Sequence, residues 1–116
     1  MNTQSPKSEY LVLCRGFRSA SPEDKQNAMT RFYAWFERLS DEGTMKNGRQ
    51  LAPEGKTLSG RTGVSDGPFA ESKEAIAGYW FIYADSLEEA VEIAKGSPAL
   101  EYGQIIEVRP TLPELR

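Results

Sequence analysis

The chain contains no histidine and only one cysteine. Without an imidazole, no side chain has an unperturbed pKa suited to exchanging protons between pH 5 and 8, so serine–histidine, cysteine–histidine and histidine–metal chemistry are excluded. A single thiol cannot form an internal disulfide. Cys14 lies in the apolar run Tyr10-Leu11-Val12-Leu13-Cys14 and reads as a buried structural thiol, so an oxidising compartment is not indicated. No apolar run approaches the ~20 residues of a membrane span, and residues 1–7 are polar, with no signal-peptide core. A cytoplasmic protein with no membrane partner is expected. Positive charge is also scarce: 14 basic against 17 acidic residues give a formal charge of -3, which argues against nucleic acid as a partner. There is no dense acidic loop, P-loop, dinucleotide fingerprint or nucleophile elbow, so neither a metal nor a cofactor is expected.

Apolar residues make up 39% and charged residues 27%, a composition well short of disorder, and the length suits one compact unit. Residues 9–110 are read as that domain, with residues 1–8 and 111–116 as tails. The run around Tyr10–Cys14 has strand length. Ser21-Pro22-Glu23-Asp24 then supplies a helix cap, a proline at the first helical position and two acids in the first turn. Ala28, Phe32, Trp35, Phe36 and Leu39 mark one apolar helical face, and Gly43 a stop. From Thr44 to Ser65 five glycine or proline residues interrupt any long element, leaving room for short strands near Met45 and between Lys56 and Val64. The run from Ala77 to Ala84 reads as a strand with Tyr79, Phe81 and Tyr83 on one face and Trp80, Ile82 and Ala84 on the other. Ser86-Leu87-Glu88-Glu89 reads as a capping box, with Glu89 reaching back to the Ser86 N–H. It opens a second helix with an apolar face of Leu87, Ala90, Val91 and Ala94, ended by Gly96, and a last strand runs through Gln104–Arg109 before Pro110 and Pro113.

This order predicts an α+β fold, a ferredoxin-like split βαβ sheet with two helices on one face. Helices cover only one side of such a sheet, whereas the aromatic strand carries large apolar groups on both. The uncovered side calls for a partner, and a homodimer packed through the open sheet face is expected.

Ser65-Asp66-Gly67-Pro68-Phe69-Ala70-Glu71-Ser72-Lys73-Glu74 leads directly into the aromatic strand. Gly67 permits an unusual dihedral and Pro68 fixes the next one, so Asp66 is held on a stiff turn. Two readings of Asp66 stand: a carboxylate preorganised for proton transfer, or a structural Asx-turn. The Asp-Gly-Pro-Phe tetrapeptide, with the Lys-Glu pair, Ala77-Gly78 and the aromatic strand behind it, resembles the signature of the YCII-related family. The resemblance extends from about Tyr10 to Glu107-Val108-Arg109-Pro110. It implies a dimeric α/β-barrel-like assembly with a cleft near the Asp-Gly-Pro-Phe turn, and it makes Asp66 the match for the family's motif carboxylate. In the family's prototype that carboxylate is paired with a histidine in a proposed catalytic dyad. This chain cannot form that dyad.

The candidate catalytic residue is therefore Asp66 alone, acting as an acid or base only if burial raises its pKa. Candidate ligand-binding residues are Tyr10, Phe69, Tyr79 and Phe81 as an aromatic lining, with Arg61 and Lys73 as the cations flanking Asp66 in sequence. Core and interface roles compete for the same aromatic residues. Lys46, Arg49, Lys56 and Arg61 against Glu54 make the segment from Met45 to Val64 locally basic, which suits either a small anion or a solvated loop. The leading reading is a small homodimeric protein that binds a small molecule in a cleft near the turn. The alternative is a lyase-, isomerase- or hydrolase-type enzyme with Asp66 as acid or base. A module with a transcription-related partner is a third class with less support.

Overall fold

The computed structural model describes residues 7–17, 21–66 and 76–112. Its elements follow in the order β1 (Ser8–Phe17), α1 (Pro22–Asp41), β2 (Met45–Gln50), β3 (Lys56–Ser59), β4 (Gly63–Asp66), β5 (Ile76–Ala84), α2 (Leu87–Ala94), a 3-10 turn (Pro98–Tyr102) and β6 (Gln104–Pro110). Four strands form one antiparallel sheet in the order β2-β5-β1-β6. This is the strand order of a ferredoxin-like sheet. The β3–β4 hairpin, inserted between β2 and β5, makes a separate two-stranded ribbon in which Leu58 opposes Val64.

Local chemistry explains the helix ends. The Ser21 hydroxyl accepts from the Asp24 N–H at 3.0 Å, Pro22 needs no partner at the first position, and Glu23 and Asp24 face the positive end of the helix dipole. At the other end Gly43 turns back with φ 81°, a left-handed conformation that favours glycine. In α2 the Ser86 hydroxyl accepts from the Glu89 N–H at 3.1 Å. The return bond differs from the capping box expected from the sequence. Glu89 Oε1 accepts from the N–H of Asp85 at 2.6 Å, one residue earlier than Ser86.

One face of the sheet builds the core. Tyr10, Val12 and Cys14 of β1 and Trp80, Ile82 and Ala84 of β5 are buried there beneath α1 and α2, with Met45 of β2 beside them. Val12 and Ile82 are fully buried, each worth about 1.5–3 kcal/mol relative to exposure. Trp80 anchors α1, with its ring 5.5 Å from Phe36, 5.7 Å from Trp35 and 5.9 Å from Phe32. In α2 the face differs in part from the sequence pattern. Ala90 and Ala94 are buried and Ile93 packs against the core, whereas Leu87, in the first turn, is 38% exposed.

The opposite face carries Leu11, Leu13, Tyr79, Phe81 and Tyr83, all half-buried by lateral neighbours in the sheet. No described helix lies over it: the molecule is 20 Å thick in its shortest dimension, enough for one helix layer on one sheet at ~10 Å each. Its edges are charged. Lys46 Nζ sits 5.4 Å from the centre of the Phe81 ring, Arg15 pairs with Glu107 at 3.0 Å, and Arg109 lies 3.8 Å from the same carboxylate.

Candidate functional site

The sheet becomes irregular at one end. β1 shifts register against β5 between Cys14 and Arg15, and against β6 between Cys14 and Phe17, while β2 shifts against β5 between Asn47 and Arg49. Such bulges re-aim side chains and concentrate beside functional sites. In β2 the inserted residue is Gly48. A Cβ there would drive into the carbonyl and ring of Tyr79, so only glycine lets β2 pass.

At this end the core runs out of large side chains. Cys14 pairs directly with Gly78 across β1 and β5, and Ala99 of the 3-10 turn lies nearby, so three small residues stand where the rest of the layer has bulky ones. The result is a cavity of about 350 Å³ between α1 and the sheet. That is within the size range of small-molecule sites. Phe32, Phe36 and Trp80 wall it, while Met29, Tyr33, Asn47, Gln50, Leu51 and Gln104 line its polar and apolar margins. A hydrogen bond from Gln50 Nε2 to the Tyr33 hydroxyl links β2 to α1 beside the cavity.

Electrostatically this space is quiet. Among the described lining residues there is no carboxylate, and the sole cation is Arg49. Arg49 pairs with Tyr79 rather than with Trp80 or Gly78, a register that turns its side chain to the open face. Cys14 is a neutral thiol, its pKa pushed up to about 11 by burial; the Trp80 indole N–H, which donates to Cys14 Sγ at 3.1 Å, opposes that rise only in part. It is neither a thiolate nucleophile nor an anion. Arg31, next to Phe32 on α1, is engaged by Glu101: both guanidinium nitrogens reach the carboxylate, at 2.9 and 3.1 Å, and one also reaches the Tyr102 hydroxyl at 3.2 Å. This pairing holds the Glu101 carboxyl below its ordinary range and ties α1 to the 3-10 turn that closes the cavity.

The residues singled out from sequence are distributed across different parts of the fold. Tyr10 is buried in the core on the helix side, 7% exposed. Tyr79 borders the cavity, whereas Phe81 lies with Lys46 on the open face. Arg61 is exposed in the turn of the β3–β4 hairpin. Asp66 ends β4, its backbone paired with that of Lys56. Phe69 and Lys73 lie outside the described residues, as do Gly67 and Pro68. The cavity instead assembles residues that the sequence assigns to the helix core (Phe32, Phe36), to the weakly patterned segment after Thr44 (Asn47, Gln50) and to strands (Gly78, Gln104). The available signal was Gly78, a residue without a side chain on the buried face of an otherwise aromatic strand.

These features define a small α+β protein in which a ferredoxin-like sheet carries a ligand-sized cavity under its first helix. The chain belongs to the family of the YCII-related domain, whose model matches residues 8–113. It is also similar to an uncharacterized protein, R00369, of Rhizobium meliloti (strain 1021), with 34% identity over 95 residues, covering 74% of this chain and 77% of that protein. No described helix is long and apolar enough to cross a membrane, and no cluster of potential metal ligands occurs among the described residues.

Proposed function

We propose that this protein is a homodimeric small-molecule-binding protein whose ligand occupies the cavity between α1 and the sheet. The observation that carries the reading is the cavity itself. Its small-residue floor is continuous with the core, its mouth opens to solvent beside the exposed Tyr33, Gln50 and Leu51, and its volume of about 350 Å³ falls in the range of small-molecule sites. Binding is favoured over turnover because the described lining supplies neither a carboxylate nor an imidazole, and its one thiol is held protonated. The dimer rests on the second sheet face, where Leu11, Leu13, Tyr79, Phe81 and Tyr83 form an apolar band with charged edges. A band of this kind suits a sheet-to-sheet contact between two copies.

A thermal-shift screen of phenols, small acids and other metabolites tests the site when run on wild type, Met29→Trp and Asp66→Asn. A ligand at 100 times its Kd adds about 2.7 kcal/mol, a rise of several degrees or more for a chain of this size. Hits should vanish in Met29→Trp, which plugs the margin from a half-buried helix position, and persist in Asp66→Asn. Hits lost only in a folded Asp66→Asn would favour the enzyme reading with Asp66 as acid or base.

A further inference from the structure

The β3–β4 ribbon is turned inside out. Leu58 and Val64 lie directly opposite each other across its two strands, so both side chains stand on one face, and by alternation Thr57 stands on the other. A ribbon resting on its own protein turns its apolar face inward. Here the reverse holds: Thr57 is half-buried, whereas Leu58 is 68% and Val64 55% exposed. We infer that the ribbon is an arm that lies against a second copy of this chain, with Leu58 and Val64 as its contact. This rests on the homodimer reading and adds to it a contact beyond the sheet face.

The ribbon needs such a partner on energetic grounds. Its strands pair only with each other, and a lone two-stranded hairpin is at best marginally stable in water. The size of its apolar face then selects the occupant. Two side chains supply far less than the ~800 Å² that each partner contributes to a standard interface, so the arm extends a contact made mainly elsewhere rather than holding an unrelated protein by itself.

The chain connects it to one such surface. The arm is inserted between β2 and β5, the neighbouring strands that bring Lys46, Tyr79 and Phe81 to the open sheet face. Its stem is tied by a backbone hydrogen bond from the Leu51 N–H to the Ala77 carbonyl at 2.8 Å, which fixes both chain ends of the arm at the margin of that face. When two open faces meet about a two-fold axis, each copy brings its arm to the other, so the contact is made twice.

The test places the photo-cross-linking residue p-benzoylphenylalanine at position 58, in the otherwise wild-type chain and in Phe81→Asp, and irradiates both at micromolar concentration. A covalent dimer should form in the first and be absent in the second. In parallel, Leu58→Asp combined with Val64→Asp, both at exposed positions, should raise the dimer Kd measured by sedimentation at least about tenfold while the circular dichroism spectrum stays unchanged. A wild type that sediments as a dimer, yields only cross-links within one chain from position 58, and keeps its Kd in the double variant would overturn the arm and leave the sheet-face dimer standing. A wild type that sediments as a monomer would overturn the dimer and the arm together.

Discussion

Cys14 shows how a single residue can report on its surroundings. Because its folded pKa, about 11, lies above the ordinary thiol value of 9.0, the native state keeps a proton that the unfolded chain releases. The stabilisation is therefore fully present below pH 9 and is lost as pH rises through 11. Two pKa units correspond to about 3 kcal/mol. In denaturant titrations from pH 8 to 11, wild type should lose more stability than Cys14→Ala, since only the difference isolates the thiol from tyrosines and lysines titrating nearby. At pH 8 the same thiol should react with a disulfide reagent far more slowly in the native protein than in urea. The Arg31–Glu101 pair has the opposite sign: the Glu101 pKa is depressed, so its contribution is present above the ordinary carboxylate range and fades on acidification through the lowered pKa.

At the scale of elements, two devices can be tested separately. Replacing Ser86 by alanine removes the hydroxyl that caps α2, and chemical denaturation should register a loss of about 1 kcal/mol. Gly48→Ala pushes a methyl group toward Tyr79 at the β2 bulge; a loss of about 1–3 kcal/mol is expected, with weakened amide protection in β2 but not in β6. These elements were unequally legible in the sequence. Both helices, the aromatic strand and the last strand follow from periodicity and caps, because their signals lie within a few neighbouring residues. β1 extends beyond its apolar run to Ser8 and Phe17, since Ser8 still pairs with Ala84 of β5 and Phe17 with Gln104 of β6. The region after Thr44 was harder to resolve. Whether Lys56 to Val64 joins the main sheet depends on partners far away in sequence, and the strands pair with each other instead. The cavity was less legible still. It arises because Cys14, Gly78 and Ala99 coincide in space, and nothing in their separate positions along the chain announces that coincidence.

For the molecule as a whole, the two faces of the sheet make separate predictions. The wild type should have a dimer mass by light scattering at micromolar concentration. Phe81→Asp, which puts a carboxylate in the middle of the apolar band, should give a folded monomer whose cavity still binds, because Phe81 does not line the cavity. A monomeric wild type would remove the dimer proposal without touching the cavity. The strand order has a further consequence, in time rather than space. β1 is synthesised before the other three strands of its sheet, yet it is a central strand whose two neighbours, β5 and β6, follow only after α1, β2, β3 and β4. During synthesis at ~5–20 residues per second, β1 spends several seconds with both edges unpaired, and pairing across such sequence distances is intrinsically slow. Meanwhile α1 and the β3–β4 hairpin, whose contacts are local, can form and dissolve repeatedly. Refolding should therefore be limited by the closing of β1 between its distant neighbours.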